Sequence, residues 1–133
     1  MKSSVFKIPL IKFIPGIAWF FVVLIMICLP KTDLPEVEGW LDYLYIDKWI
    51  HIGMFGILAF LFMYPFHRKD IVPTTKRGYF LIIFTLTVCW GLATECIQLY
   101  IPGRSFDLLD WVADSSGALL ALYWCKKRYL FNG

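Results

Sequence analysis

Four apolar runs, Ile14 to Leu29, Trp49 to Phe66, Gly78 to Thr94 and Leu108 to Cys125, occupy more than half of the 133 residues, and Asp110 and Asp114 are the only charges inside them. A helix that crosses a bilayer needs roughly 20 mostly apolar residues, with about 17 as the short limit. Each run reaches that length once its flanks are counted. Hydrophobic residues make up 59% of the chain, above what a soluble domain of this size carries. The expected fold class is all-α: a single-domain, polytopic membrane protein with four transmembrane helices.

The charges between the runs alternate in sign. The N-terminus (Lys2, Lys7, Lys12), the second loop (Arg68, Lys69, Lys76, Arg77) and the C-terminus (Lys126, Lys127, Arg128) hold ten basic residues and one acid, Asp70. The opposite side holds Lys31, Lys48 and Arg104 against nine acids: Asp33, Glu36, Glu38, Asp42, Asp47, Glu95, Asp107, Asp110 and Asp114. Short cytoplasmic loops accumulate Lys and Arg, so both termini are expected in the cytoplasm. The basic residues sit in membrane-flanking clusters and give no support for nucleic-acid binding. Cys28, Cys89, Cys96 and Cys125 show no CxxC spacing and read as buried single thiols, with a Cys28–Cys96 disulfide as a minor alternative.

Along the chain, the first run has a basic lead, as a signal peptide does, but Ile-Cys-Leu-Pro-Lys-Thr offers no small-x-small cleavage site. It reads as a retained first helix. Trp40 to Ile46 reads as a short interfacial amphipathic piece. The second helix begins near Asp47, and Asp47, Lys48 and His51 can share one face of its first turn. Gly53, Gly56 and Ala59 suit close helix contact, while Phe60, Phe62, Met63 and Phe66 read as core or lipid-facing residues. A basic loop over His67 to Arg77 leads to a third helix running from Gly78 towards Tyr100, with Gly91, Glu95 and Gln98 on one face.

Ile101-Pro102-Gly103 ends that helix. Ser105 is expected to cap the fourth, with Asp107 in its first turn, where the helix dipole favours an anion. Asp107, Asp110, Asp114 and Gly117 then form one stripe, beside a small-residue seam of Ala113, Gly117 and Ala121. Counting at 1.5 Å per residue from each cytoplasmic end puts Glu95 at about 25 Å, Gln98 at about 30 Å, His51 and Asp110 at about 22 Å, Asp47 at about 28 Å and Asp107 at about 27 Å. Asp114 lies at about 16 Å on that scale, near the midplane of a core about 30 Å thick. Three helices thus bring polar residues to one shallow layer under the outer surface.

These motifs carry a resemblance. Asp47-Lys48-x-x-His51 opens the second span, Glu95-x-x-Gln98 precedes Pro102-Gly103-Arg104, and Asp107-x-x-Asp110-x-x-x-Asp114-x-x-Gly117 follows. In order and spacing they resemble the VanZ-like family of small bacterial membrane proteins, over about residues 17–123. The resemblance implies a multi-pass protein of the bacterial plasma membrane that acts near the cell envelope; the family is named for a protein linked to reduced teicoplanin susceptibility. Members usually carry Asn where this chain has Asp114.

Within the layer, Asp47, Glu95, Asp107, Asp110 and Asp114 face only Lys48 and Arg104, an excess of three negative charges. Unpaired charge is costly in low dielectric, so protonated carboxyls, a protonated His51, a divalent metal or a cationic ligand must compensate, with water at the rim lowering the cost for Asp47 and Asp107. Glu95, His51 and Asp110 are the candidate catalytic residues, Glu95 as a general base inside a span. Its bland alternative is a salt bridge to Lys48 or Arg104. Asp47, Lys48, Gln98, Arg104, Asp107 and Asp114 are the candidate binding residues. Arg104 suits a phosphate or carboxylate clamp, or a tie from its turn to Asp107.

The aspartate run resembles metal-binding patterns of membrane phosphotransferases, although hard cations want six or more oxygens. Ser105, Ser115 and Ser116 read as cap and packing residues, and Cys96 points about 100° away from Glu95. The expected function is binding or modification of an envelope component, a lipid-linked wall precursor or a lipid head group, in a pocket open to the outer leaflet. The alternatives are a non-enzymatic scaffold for an envelope enzyme and, disfavoured by the absence of internal repeats, proton-coupled transport.

Overall fold

A computed structural model describes residues 7–33, 39–40 and 45–131 of the chain. Glu36, Glu38, Asp42, Lys2 and most of the interfacial piece expected over Trp40 to Ile46 lie outside the described residues. The described residues form four long helices, α1 (Ile14–Cys28), α2 (Ile46–Met63), α3 (Pro73–Gln98) and α4 (Leu108–Phe131), with short 3-10 turns at the ends of α1 and α2. Three segments are long and apolar enough to cross a membrane: Leu10–Cys28, Ile46–Phe66 and Pro73–Gln98.

α2 and α4 are the most extensively packed pair. Their contacts keep a nearly constant sequence offset: Lys48 meets Asp110, His51 meets Asp114, and Gly56 lies over the Gly117 carbonyl. Two helices paired at constant offset run parallel and in register. Small residues make the approach close. A methyl group on Gly117 would overlap the Ile52 carbonyl, and one on Gly56 would sit 3.2 Å from the Gly117 oxygen. Ala59, Ala113 and Ala118 are buried along the same contact. Gly53, expected to share this role, has open space where a side chain would go, because it lies about a third of a turn off the contact face.

The apolar core has two parts. One gathers Ala59, Met63, Phe66, Ile83, Leu122 and Cys125 at the basic end of α2, α3 and α4. The other joins Val23 and Ile27 of α1 to Phe55 and Leu58 of α2, and Trp19 Nε1 donates to the Met54 carbonyl at 2.9 Å across that seam. Large apolar side chains such as Ile25, Leu86 and Leu120 face outward, as lipid-facing residues do.

Several boundaries differ from the sequence expectation. α3 starts at Pro73, so the last part of the expected basic loop is helical; proline suits a first helical position, where its missing N–H has no partner to lose. α3 ends at Gln98, and Leu99 and Tyr100 belong to the turn that follows. None of the four cysteines is in a disulfide, and only Cys125 is buried; Cys28 is partly buried, and Cys89 and Cys96 lie on the outward face of α3.

The α3–α4 link is a tight turn. The Arg104 N–H donates to the Ile101 carbonyl at 3.1 Å and Gly103 has φ +74°, which makes Ile101-Pro102-Gly103-Arg104 a type II turn with Pro and Gly in their preferred places. Asp107 caps α4, in place of Ser105. Its Oδ1 accepts the Leu109 N–H at 2.8 Å, and its carbonyl accepts the N–H groups of Asp110 and Trp111. Ser and Asp both cap well, and the turn geometry decides between them.

Candidate functional site

The N-terminus of α2, the C-terminus of α3 and the N-terminus of α4 meet at one end of the bundle, and every candidate site residue lies there. Lys48 is the hub. Its Nζ donates to Asp47 Oδ2 at 3.0 Å and to Asp107 Oδ2 and Asp110 Oδ1 at 2.5 Å each. The ammonium against Asp107 holds that carboxyl below the usual carboxylate range. Asp47 and Asp107 remain 56% and 39% exposed, so this upper tier is a rim that water reaches.

One turn deeper, His51 Nδ1 lies 2.8 Å from Asp114 Oδ1, and His51 Nε2 lies 3.8 Å from Asp110 Oδ2. Glu95 comes in from α3. Its Oε2 accepts the Asp107 N–H at 2.9 Å, tying α3 to the start of α4. Neither Lys48 nor Arg104 pairs with Glu95 among the described residues, so the expected salt-bridge alternative is not formed. The side chains of Glu95 and Asp114 are fully buried, and each keeps one oxygen, Glu95 Oε1 and Asp114 Oδ2, with no hydrogen-bond partner. His51 links Asp114 to Asp110, so Asp114 forms the floor of the same network.

Gly91 makes room for that floor. A methyl group there would stand 3.1 Å from Asp114 Oδ2. Trp111 closes the side, donating from Nε1 to the Val88 carbonyl at 3.0 Å. Gly91 was visible on the Glu95 face of α3, but only the paired helix shows that its missing side chain accommodates a carboxylate.

Beside the network a cleft of about 110 Å³ opens between α1 and α2. Its lining is mostly apolar, from Met26, Ile27, Ile50 and Met54, and Asp47, His51, Gln98 and Arg104 also border it. Of the three candidate acid–base residues, His51 lines this cleft, while Glu95 and Asp110 stand behind it. The Arg104 Nε donates to the Leu29 carbonyl at 3.3 Å. Among the described residues its guanidinium pairs with no carboxylate, so the expected tie to Asp107 is absent. Met26 and Ile27 belong to a run with no polar marker, and Ile50 and Met54 flank His51 without any signal of their own.

The aspartate run does not converge on one point. Asp107 and Asp110 turn to Lys48, whereas Asp114 meets ligand-type atoms of His51 and Glu95, all within 4.8 Å of one another. This mixed cluster draws one residue from each of α2, α3 and α4.

A family model described as VanZ/LLP1 matches residues 6–131. The chain is also similar to the uncharacterized protein C11E3.10 of Schizosaccharomyces pombe, with 34% identity over 76 residues that make up 57% of this chain and 44% of that protein. It thus spans less than half the length of that curated relative. No solved structure matches.

Proposed function

The chain belongs to the VanZ/LLP1 family of membrane proteins, and from that premise and the site geometry we propose that it binds the phosphate-bearing head group of a membrane amphiphile. The observation that carries this reading is a mostly apolar cleft with Arg104 in its lining. Arg104, which no described carboxylate engages, borders it with Gln98, His51 and Asp47, whose charge is offset by Lys48. The apolar lining, built from α1 and α2, suits an acyl or isoprenoid chain. Guanidinium is well matched to phosphate oxygens. His51 is the group placed to exchange a proton with the bound head group; Glu95, Asp110 and Asp114 act through it by position. Phosphate-bearing lipids are common to bacterial and fungal membranes, so this ligand class also accommodates the fission-yeast relative.

The test is retention of lipid by protein purified in mild detergent, read by native mass spectrometry. Wild-type protein is expected to keep a phosphate-bearing amphiphile, and Arg104→Ala to hold it roughly tenfold more weakly, on the usual worth of a charge-assisted hydrogen bond. Equal retention by both proteins sinks the reading and favours a scaffold. The mass of the retained species separates a phospholipid from a lipid-linked wall precursor. The second source would connect the site to teicoplanin susceptibility.

We also infer that α4 is a fourth span and that both termini face the cytoplasm of a bacterial plasma membrane. α4 has 24 residues, about 36 Å of helix. It lies in register beside α2 from Lys48–Asp110 to the shared core at Met63 and Leu122. Asp110 and Asp114, the charges that lower its apolar character, turn inward, while Leu119, Leu120, Tyr123 and Trp124 face outward. In a background without native cysteines, Tyr100→Cys is expected to react with an impermeant reagent added outside intact cells, and Lys127→Cys only after permeabilisation. Labelling of both from one side would overturn the fourth span; the reverse pattern would overturn the orientation.

A further inference from the structure

We propose that His51, Glu95 and Asp114 bind a first-row divalent cation at the floor of the polar layer. Acidic residues close together are common without a metal, and here a second observation points to a ligand. Both carboxylates are fully buried, yet each keeps an oxygen without any partner. Buried polar atoms are almost always satisfied, and the two residues that carry these oxygens form, with His51, a group whose ligand-type atoms fall inside 4.8 Å. Ligands about 2.1 Å from a common centre lie at most about 4.2 Å apart, so closure on an ion draws the widest pair allowed by that 4.8 Å bound together by roughly 0.6 Å to 1 Å.

Charge points the same way. Glu95, Asp110 and Asp114 are buried, and Lys48 is the ammonium that reaches this tier, by way of Asp110. Three carboxylates against one ammonium leave two negative charges, which a divalent cation cancels. One imidazole with two carboxylates suits Mn²⁺, Fe²⁺ or Zn²⁺ better than Ca²⁺ or Mg²⁺, which favour all-oxygen sites. Three protein ligands also leave coordination positions for water or a substrate oxygen. The ligands come from three helices, so the cation would fasten α2, α3 and α4 at the level where the cleft opens. The assignment does not rest on the head-group reading, because metal binding is measured without added lipid.

The experiment titrates purified full-length protein in detergent at neutral pH with Mn²⁺ and follows the free ion by electron paramagnetic resonance. Mn²⁺ avoids the thiols that would attract Zn²⁺. About one saturable site per chain is expected, with nitrogen hyperfine coupling to the bound ion from the His51 ring. Glu95→Gln and Asp114→Asn are each expected to weaken it roughly 100-fold, at least the upper end of what supporting residues contribute. Asp33→Asn, an exposed acid elsewhere in the chain, leaves it unchanged. Absence of a saturable site in the wild-type protein overturns the proposal, and an infrared carbonyl band from protonated carboxyls would then show what replaces the cation. A saturable site without nitrogen coupling overturns it too. Both readings use wild-type protein and survive any failure of the variants to fold. Loss of lipid retention in Arg104→Ala with Mn²⁺ still bound separates this site from the cleft.

Discussion

Replacing Lys48 with Met is expected to destabilise the protein by about 3 kcal/mol, within the range measured when one partner of a buried ion pair is removed. The loss is large because one ammonium serves three carboxylates on two structural elements: Asp47 on its own helix, and Asp107 and Asp110 at the start of α4. Without it Asp110, whose side chain is only 13% exposed, loses the ammonium that pairs with it and is left beside His51. The 16% exposure left to Lys48 keeps the effect below the full cost of an enclosed charge. Asp110→Asn in the Lys48→Met background removes the stranded charge and should restore most of the loss. Thermal unfolding of the detergent-solubilised variants, read by size-exclusion fluorescence, measures both. A Lys48→Met protein as stable as wild type, or a double variant no better than the single, would show that Lys48 is not the hub.

Much of this site was legible in the sequence because membrane segments leave so little room for charge. The four helices follow from apolar runs, and the shared polar layer follows from counting depth along them. Asp47, Lys48, His51, Glu95, Gln98, Asp107, Asp110 and Asp114 do come together at one end of the bundle. Partner choice was not legible. Helical periodicity shows that Lys48 and His51 share a face with Asp47, and that Asp110 and Asp114 share another, but not that these two faces meet in parallel register. The same gap explains Glu95. A carboxylate inside a span looks like half of a salt bridge, whereas its actual partner is the backbone N–H of Asp107, a donor that carries no side-chain signature. Cys89 and Cys96 were misjudged as buried for a related reason: presence in a span does not say which way a residue faces.

The α2–α4 contact supplies the other large effect, because the register that pairs His51 with Asp114 is set by glycine. Gly117→Ala is expected to destabilise the protein by about 3 kcal/mol, the upper part of the range for overpacking, since its new methyl group would overlap the Ile52 carbonyl. A backbone carbonyl, unlike a side chain, has no rotamer through which to retreat, so the helices themselves must separate. Gly56→Ala should cost clearly less: its methyl group would meet the Gly117 oxygen at 3.2 Å, a distance that a small shift relieves. Separation at Gly117 also reaches the site, because Ile52 adjoins His51 and Asp114 lies three residues before Gly117 on the same helix. The 2.8 Å His51–Asp114 contact should lengthen, and Mn²⁺ binding should weaken with stability in Gly117→Ala while changing little in Gly56→Ala. Thermal unfolding of the two variants, together with their Mn²⁺ titrations, checks the order. Equal stability of Gly117→Ala and wild type would show that α2 and α4 do not approach so closely, and the layer built on their register would have to be redrawn.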